Sequence, residues 1–365
     1  MSGSRLRIGA CLSLSGEYAR FGRQAGLALD IWRSTTGAAD LLVEDDGSDP
    51  ERLAALLPRV SAECDLLLGP YSTLLMRSAG AIAKALDRLV WNHGGSGDDV
   101  ETAHPGHVVS VPTPASRYAE PFVRHLAARA DPRPLHILSG KGRFGRQVAD
   151  GAERLARALG VHPVRHRPST PEAWDLCSFE EDWDLFCAGS FEEDVETVNR
   201  ARSLPTTPRT VCAVAAGVRE FGQAADDPLG VYGVGQWFPG GGGQVELSSI
   251  AEADLLTAYR ERTGSLPDYP AVQAVAAAAI ATYCARQAGS TAREALWSAA
   301  TTLETTTLFG AFKVDPRTGA QTGHQTALTR WGTGGPAVAN QRQEGKAPDS
   351  VRQVRGPNES PAPCD

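Results

Sequence analysis

The chain has 365 residues, 42% of them hydrophobic and 22% charged, with 36 basic against 43 acidic side chains and a net charge of −7. This is the composition of an ordinary globular chain with room for two cores. A mean hydropathy of −0.24, with no apolar run approaching the ~20 residues of a membrane span, excludes an integral helical membrane protein. The mild acidity offers no global footprint for nucleic acid or an anionic membrane.

Met1-Ser2-Gly3-Ser4 runs straight into Arg5–Cys11, which reads as a strand. A charged segment, an apolar stretch and a small-residue cleavage site would mark an export leader, and none precedes it. The expectation is therefore a cytoplasmic chain, or an extracytoplasmic one if the true start lies upstream. Seven cysteines stand at 11, 64, 177, 187, 212, 284 and 364. None forms C-x-x-C or lies at zinc spacing from a histidine, so they read as scattered reduced thiols with no metal implied.

Strand-like runs follow at 41–44, 65–68, 89–91 and 107–111. Between them lie helical stripes, Ala25, Ala28, Leu29 and Trp32 on one and Leu53, Leu56, Leu57 and Val60 on the next. Asp49-Pro50-Glu51 starts the second helix as N-cap, N1 proline and first-turn acid. A second series of strands is expected at 135–138, 161–165, 184–188, 210–214 and 231–234. Two successive strand–helix series predict an α/β chain with two parallel sheets covered by helices on both faces. Residues 271–285 are apolar nearly all round and predict a buried helix. Residues 309–314 and 326–331 read as two strands joined by the turn Asp315–Gly319, and the Gly-, Pro- and charge-rich sequence from 332 to 365 as a disordered tail.

Gly140-Lys141-Gly142-Arg143-Phe144-Gly145 fits G-x-G-x-x-G between a strand and a helix, as a dinucleotide site requires. The next strand, however, ends in Arg165-His166-Arg167, where NAD wants an acid on its ribose. A tight turn that uses glycine is the preferred reading, with an NADP-dependent oxidoreductase as the lesser one. No Walker A, G-x-S-x-G or calcium loop is present, and no catalytic set forms. Leu68-Gly69-Pro70-Tyr71-Ser72-Thr73 and Asn92-His93-Gly94-Gly95-Ser96 each end a strand of the first series. Amides at a helix start beside the Ser72 and Thr73 hydroxyls suit a carboxylate or amide oxygen, and both loops fall at one sheet's carboxyl edge.

Taken together these segments resemble the type I periplasmic binding protein family, in its Leu/Ile/Val-binding and amide-sensor branch. The resemblance is carried by Ile8-Gly9-Ala10 through Phe21-Gly22, Asp45–Pro50, Leu68–Thr73, Lys141–Gly145, Tyr269-Pro270-Ala271, Ala288-Gly289-Ser290, Phe309–Phe312 and Asp315–Gly319, spanning residues 5–331. It implies two Rossmann-like lobes joined by a multi-strand hinge, with a ligand cleft between them. The first lobe would comprise residues 1–117 with about 246–308, and the second about 118–245 with about 309–331 and the hinge crossovers. By position, Tyr71, Ser72, Thr73, Gly94 and Ser96 would hold a carboxylate or amide from the first lobe. Phe21 and Phe144 would face the ligand as aromatics, with Ser190 and Phe191 from the second lobe. The G-x-G-x-x-G segment becomes the family's aromatic–glycine turn.

Amino-acid binders of the family place a second-lobe acid against the ligand's ammonium. Here the matching strand exit is Val214-Ala215-Ala216-Gly217, so Glu192, Glu193 or Glu220 would have to substitute. The implied protein is a non-enzymatic, cofactor-free solute-binding protein for a small carboxylate, amide or amino-acid-like ligand. Its partner would be an ABC permease or, in a ligand-responsive regulator, another protein; no nucleic acid or membrane insertion is implied.

Overall fold

A computed structural model describes residues 5–166, 182–241 and 243–339. The first strand–helix series begins with β1 (Arg7–Leu12), α1 (Ala19–Thr36), β2 (Asp40–Asp45) and α2 (Pro50–Glu63). It continues with β3 (Leu66–Leu68), α3 (Thr73–Ala85), β4 (Val90–Asn92) and β5 (Val108–Ser110). These strands form one parallel sheet in the order β2-β1-β3-β4-β5. After α4 (Glu120–Ala127) the second series runs β6 (Leu135–Ser139), α5 (Arg143–Ala158), β7 (Pro163–His166), β8 (Asp184–Ala188) and α6 (Phe191–Arg202). It closes with β9 (Thr210–Ala213), the short helix α7 (Phe221–Ala224) and β10 (Tyr232–Gly235).

The chain then returns to the first sheet. Helices α8 (Glu252–Thr263), α9 (Tyr269–Ala288) and α10 (Arg293–Thr302) follow, and α9 packs against α1 and against β3 and β4. Fifteen of its residues are buried, eight of them alanine, and such small side chains let two helices approach closely. Leu29, Trp32, Trp91 and Ile280 meet in that core, and the Trp32 indole N–H is satisfied by Ser249 Oγ at 2.7 Å.

The last strands are β11 (Thr305–Thr307), β12 (Gly310–Phe312), β13 (Ala327–Gly332) and β14 (Gly335–Val338). The two strands expected at 309–314 and 326–331 are present but do not pair with each other: β12 pairs with β11, and β13 joins the second sheet beside β10. The turn itself is local, with Val314 bridging Gln321, Asp315 N bonded to Ala320 O at 2.8 Å and Arg317 N to the Asp315 carboxylate at 2.7 Å. Two boundaries also move. Phe309, Phe312 and Val314 pack in the first core rather than the second. The expected tail does not begin at 332, because Gly332–Val338 folds back antiparallel on β13; residues 340–365 lie outside the described residues. The second sheet thus has the order β14-β13-β10-β9-β8-β6-β7, parallel from β10 to β7.

The described cysteines, 11, 64, 187, 212 and 284, are buried free thiols; Cys177 and Cys364 lie outside the described residues. Among the described residues no helix is long and apolar enough to cross a membrane.

In both lobes a glycine in the first turns of a helix lets it rest on neighbouring backbone. A Cβ on Gly22 would stand 2.1 Å from Ser13 O, and one on Gly145 2.3 Å from Ala188 O, whereas one on Gly142 meets nothing within 4 Å. Gly22→Ala is expected to lower the unfolding free energy by about 1–3 kcal/mol through overpacking, and Gly142→Ala to change it by no more than about 0.5 kcal/mol. Urea denaturation measures both; equal stability of the two variants would contradict the close approach.

Candidate ligand site

Because strands within a parallel sheet point the same way, their exits and the following helix starts gather at one edge. Here the carboxyl edges of both sheets face one cleft of about 580 Å³, within the usual ligand-pocket range of roughly 300–1,000 Å³. All nine residues expected at a site line it: Phe21, Tyr71, Ser72, Thr73, Gly94 and Ser96 from one side, Phe144, Ser190 and Phe191 from the other.

On the first-sheet side, Ser72 caps α3, its hydroxyl accepting Leu75 N at 3.3 Å, with a φ of 87°. For a serine this is an uncommon conformation costing of order 1–3 kcal/mol, held here by the Ser72 N–H bond to Gly94 O at 3.1 Å. Thr73 Oγ1 accepts the Gly97 amide at 3.0 Å, and Ser96 Oγ accepts the Tyr118 hydroxyl at 2.7 Å. Each of these two hydroxyls therefore already receives a proton from the protein, and its own is directed to no described protein acceptor. With the first amides of α3, they make a donor-rich end of the cleft.

Below that end the Gly94–Ser96 loop hangs on Asn92. Its Oδ1 accepts the amides of Gly94 and Gly95 at 3.0 and 2.8 Å, and its Nδ2 donates to Gly95 O and Ser110 Oγ, both at 2.6 Å. Ser110 in turn donates to Glu101, a carboxyl that burial pushes up to about 7. The second lobe repeats the device with Asp194, which accepts Gly189 N at 2.7 Å and Ala215 N at 2.9 Å. Burial raises its pKa to about 7 as well. Neither acid stands out in the sequence, since each is read only through a contact formed by folding.

The walls are aromatic. Phe21 stacks on Tyr71 at 4.4 Å with 15° between planes, and Phe144 meets Tyr118 edge-on at 5.6 Å. The Tyr71 and Tyr269 hydroxyls lie 2.5 Å apart, and Gln236, which accepts Gln273 Nε2 at 3.1 Å, lines the floor. Sequence reasoning misses Tyr118, Tyr269 and Gln236 as site residues; a Tyr-Pro pair at a helix start is the visible signal for Tyr269.

The G-x-G-x-x-G turn serves packing. Gly145 sits on Ala188 O, and the Lys141 amide donates to Glu193 Oε1 at 3.0 Å, so an acid already occupies the place where a pyrophosphate would seek that amide. Arg165 is paired with Asp150 and Glu153 at 3.2 and 3.7 Å; Arg167 lies outside the described residues. The three acids expected to substitute opposite an ammonium are engaged. Glu192 and Glu220 both pair with Arg20, at 2.5 and 3.4 Å, and Glu193 forms a capping box with Ser190.

The sequence matches the profile of the periplasmic binding protein family over residues 5–336, and the chain belongs to that family. No curated protein matches it in sequence. Among solved structures it is similar to a leucine-binding protein of Thermotoga maritima, with 13% identity, a TM-score of 0.77, and 92% of this chain and 98% of that one covered. It is also similar to the branched-chain amino acid transporter substrate-binding protein of Streptococcus pneumoniae in complex with isoleucine, with 16% identity, a TM-score of 0.73, and 92% and 99% covered. A third is an ABC transporter solute-binding protein of Rhodopseudomonas palustris in complex with 3,4-dihydroxybenzoic acid, with 14% identity, a TM-score of 0.72, and 89% and 92% covered.

The buried Glu101 gives a signed pH dependence. Below its ordinary value of 4.5 it is protonated in both folded and unfolded chains, and above about 7 ionised in both. Between these values only the folded chain keeps the proton, so its burial costs stability progressively as pH rises, and the full cost persists above about 7. Glu101→Gln removes that cost, while Asp194 titrates in both proteins and cancels. Unfolding free energies measured across this window are expected to shift steadily in favour of the variant as pH rises. A difference that stays constant with pH would contradict the assignment.

Proposed function

We propose that this member of the periplasmic binding protein family binds a small organic carboxylate or amide between its lobes, without converting it chemically. The observation that carries the reading is the pair of hydroxyls on Thr73 and Ser96, each accepting a protein bond and holding its own proton free beside the first turn of α3. Two such donors suit an oxygen acceptor, and a desolvated acceptor of this kind gains most when it carries charge. The aromatic walls around Phe21, Tyr71, Phe144 and Phe191 suit an apolar body attached to it. Isoleucine and 3,4-dihydroxybenzoic acid, the compounds named with two of the similar structures, both combine a carboxylate with an apolar body.

Closure of the lobes would trap the solute, and several contacts already reach across the cleft. Asp99 accepts from Arg143 at 2.5 Å and from Gln147 at 3.0 Å, and the Asp98 amide donates to Gln147 at 3.2 Å. The family match favours a receptor that passes its solute to an ABC permease, outside the cytoplasm. A cytoplasmic regulator reporting its ligand to a protein partner is the alternative.

A thermal-shift panel of carboxylates, amides, amino acids, sugars and NADP tests the reading. A ligand at 100 times its Kd adds about 2.7 kcal/mol to the folded state, so a carboxylate or amide is expected to raise Tm, and a response to NADP alone would contradict the proposal. With the responding ligand, Thr73→Ala is expected to weaken binding by about 1–3 kcal/mol. Unchanged affinity in calorimetry would remove Thr73 from the site.

A further inference from the structure

Three acids line the cleft, Glu17, Glu192 and Glu193, and Glu220 joins Glu192 beside Arg20. Glu193 accepts the amides of Ser190 at 2.9 Å and Lys141 at 3.0 Å. Glu17 is exposed, so water screens its charge. The other two, Glu192 and Glu220 of the second lobe, converge on one side chain of the first. The Arg20 guanidinium lies 2.5 Å from Glu192 and 3.4 Å from Glu220, and its Cζ stands 4.4 Å over the Phe191 ring. A cation already fills the place where those carboxylates and that ring face would receive one.

The other charged groups of the lining are also cationic. Arg77 and Arg143 reach a single oxygen of Asp99, at 3.1 and 2.5 Å, so two guanidiniums share one carboxylate. An ammonium carried into this cleft would lose its water and find Glu192, Glu193 and Glu220 already engaged, leaving only the exposed Glu17 unpaired among the acids of the lining. A carboxylate would meet the free hydroxyl protons and, at Asp99, two guanidiniums that share one carboxylate. Burial of an uncompensated charge is among the costlier events in binding.

We infer that Arg20 is a specificity-determining residue: by occupying Glu192 and Glu220 it restricts the site to solutes without an ammonium group, and so against α-amino acids. This deepens, and rests on, the carboxylate reading above. Two pairs of probes differ only by the ammonium, 3-phenylpropanoate with phenylalanine and 4-methylpentanoate with leucine. In calorimetry at neutral pH the native protein is expected to bind the ammonium-free member of a pair about tenfold tighter or more.

Arg20→Gln frees both acids and is expected to reduce or invert that ratio. The double variant Glu192→Gln with Glu220→Gln breaks the same contact between the lobes without supplying an acid, and is expected to keep the native preference. It separates selectivity from any general effect of loosening the lobes. The inference is overturned if the native protein binds phenylalanine or leucine as tightly as the ammonium-free partner. It is equally overturned if Arg20→Gln leaves the ratio unchanged, or if the double variant relaxes it as Arg20→Gln does. Binding of none of the four probes to the native protein would count against the carboxylate reading itself and take this assignment with it.

Discussion

Everything in this molecule follows from the common direction of its parallel strands. Each strand of the first sheet ends at the same edge, and the second sheet turns its own carboxyl edge toward it. Loop starts, helix N-termini and their unsatisfied amides therefore collect in one gap without any single residue having to put them there. The chain crosses between the sheets more than once: α8, α9 and α10 return to the first core, and β13 then rejoins the second sheet. Two lobes built in this way are tied at one side and face each other across the other.

The loops that face the gap are held from beneath by buried acids of the same design. Glu101 acts through Ser110 and Asn92 on the Gly94–Ser96 loop, and Asp194 grips the amides of Gly189 and Ala215 directly. Such networks are stabilising only when fully satisfied, which fixes the loops and leaves the lining side chains as the adjustable part. Across the gap the contacts are of a different kind. Arg20 with Glu192 and Glu220 on one flank, and Asp99 with Arg143 on the other, are partly exposed ion pairs of opposite sense. Exposed pairs contribute about 0–1 kcal/mol each, so these contacts orient the lobes more than they lock them.

The fold was legible because its signals are local. Alternation of short apolar strands with helical stripes such as Ala25–Trp32 reads directly, and the Asp49-Pro50-Glu51 helix start appears as written, with Asp49 accepting the Glu51 and Arg52 amides. The nine lining residues were reachable through the order of weak motifs, none of which would have sufficed alone. What stayed hidden depends on long-range pairing. Arg20 lies 172 positions from Glu192, and nothing local marks the two as partners. The partners of the late strands are not legible in the sequence, because β11 and β12 are short and pairing is chosen by packing: β12 turns back on β11, while β13 is drawn to the edge of β10. Tyr118 is hidden for a similar reason, since its hydroxyl meets Ser96 only once folding brings the two together from different lobes.

The claim on which the account turns is that one solute is held by both carboxyl edges at once. Hydrogen–deuterium exchange with and without the tightest-binding carboxylate measures this directly. The account predicts new protection in two separated stretches, around Thr73 to Ser96 on the first lobe and around Phe144 and Phe191 on the second. Protection confined to one lobe, or falling away from both sheet edges, would contradict it.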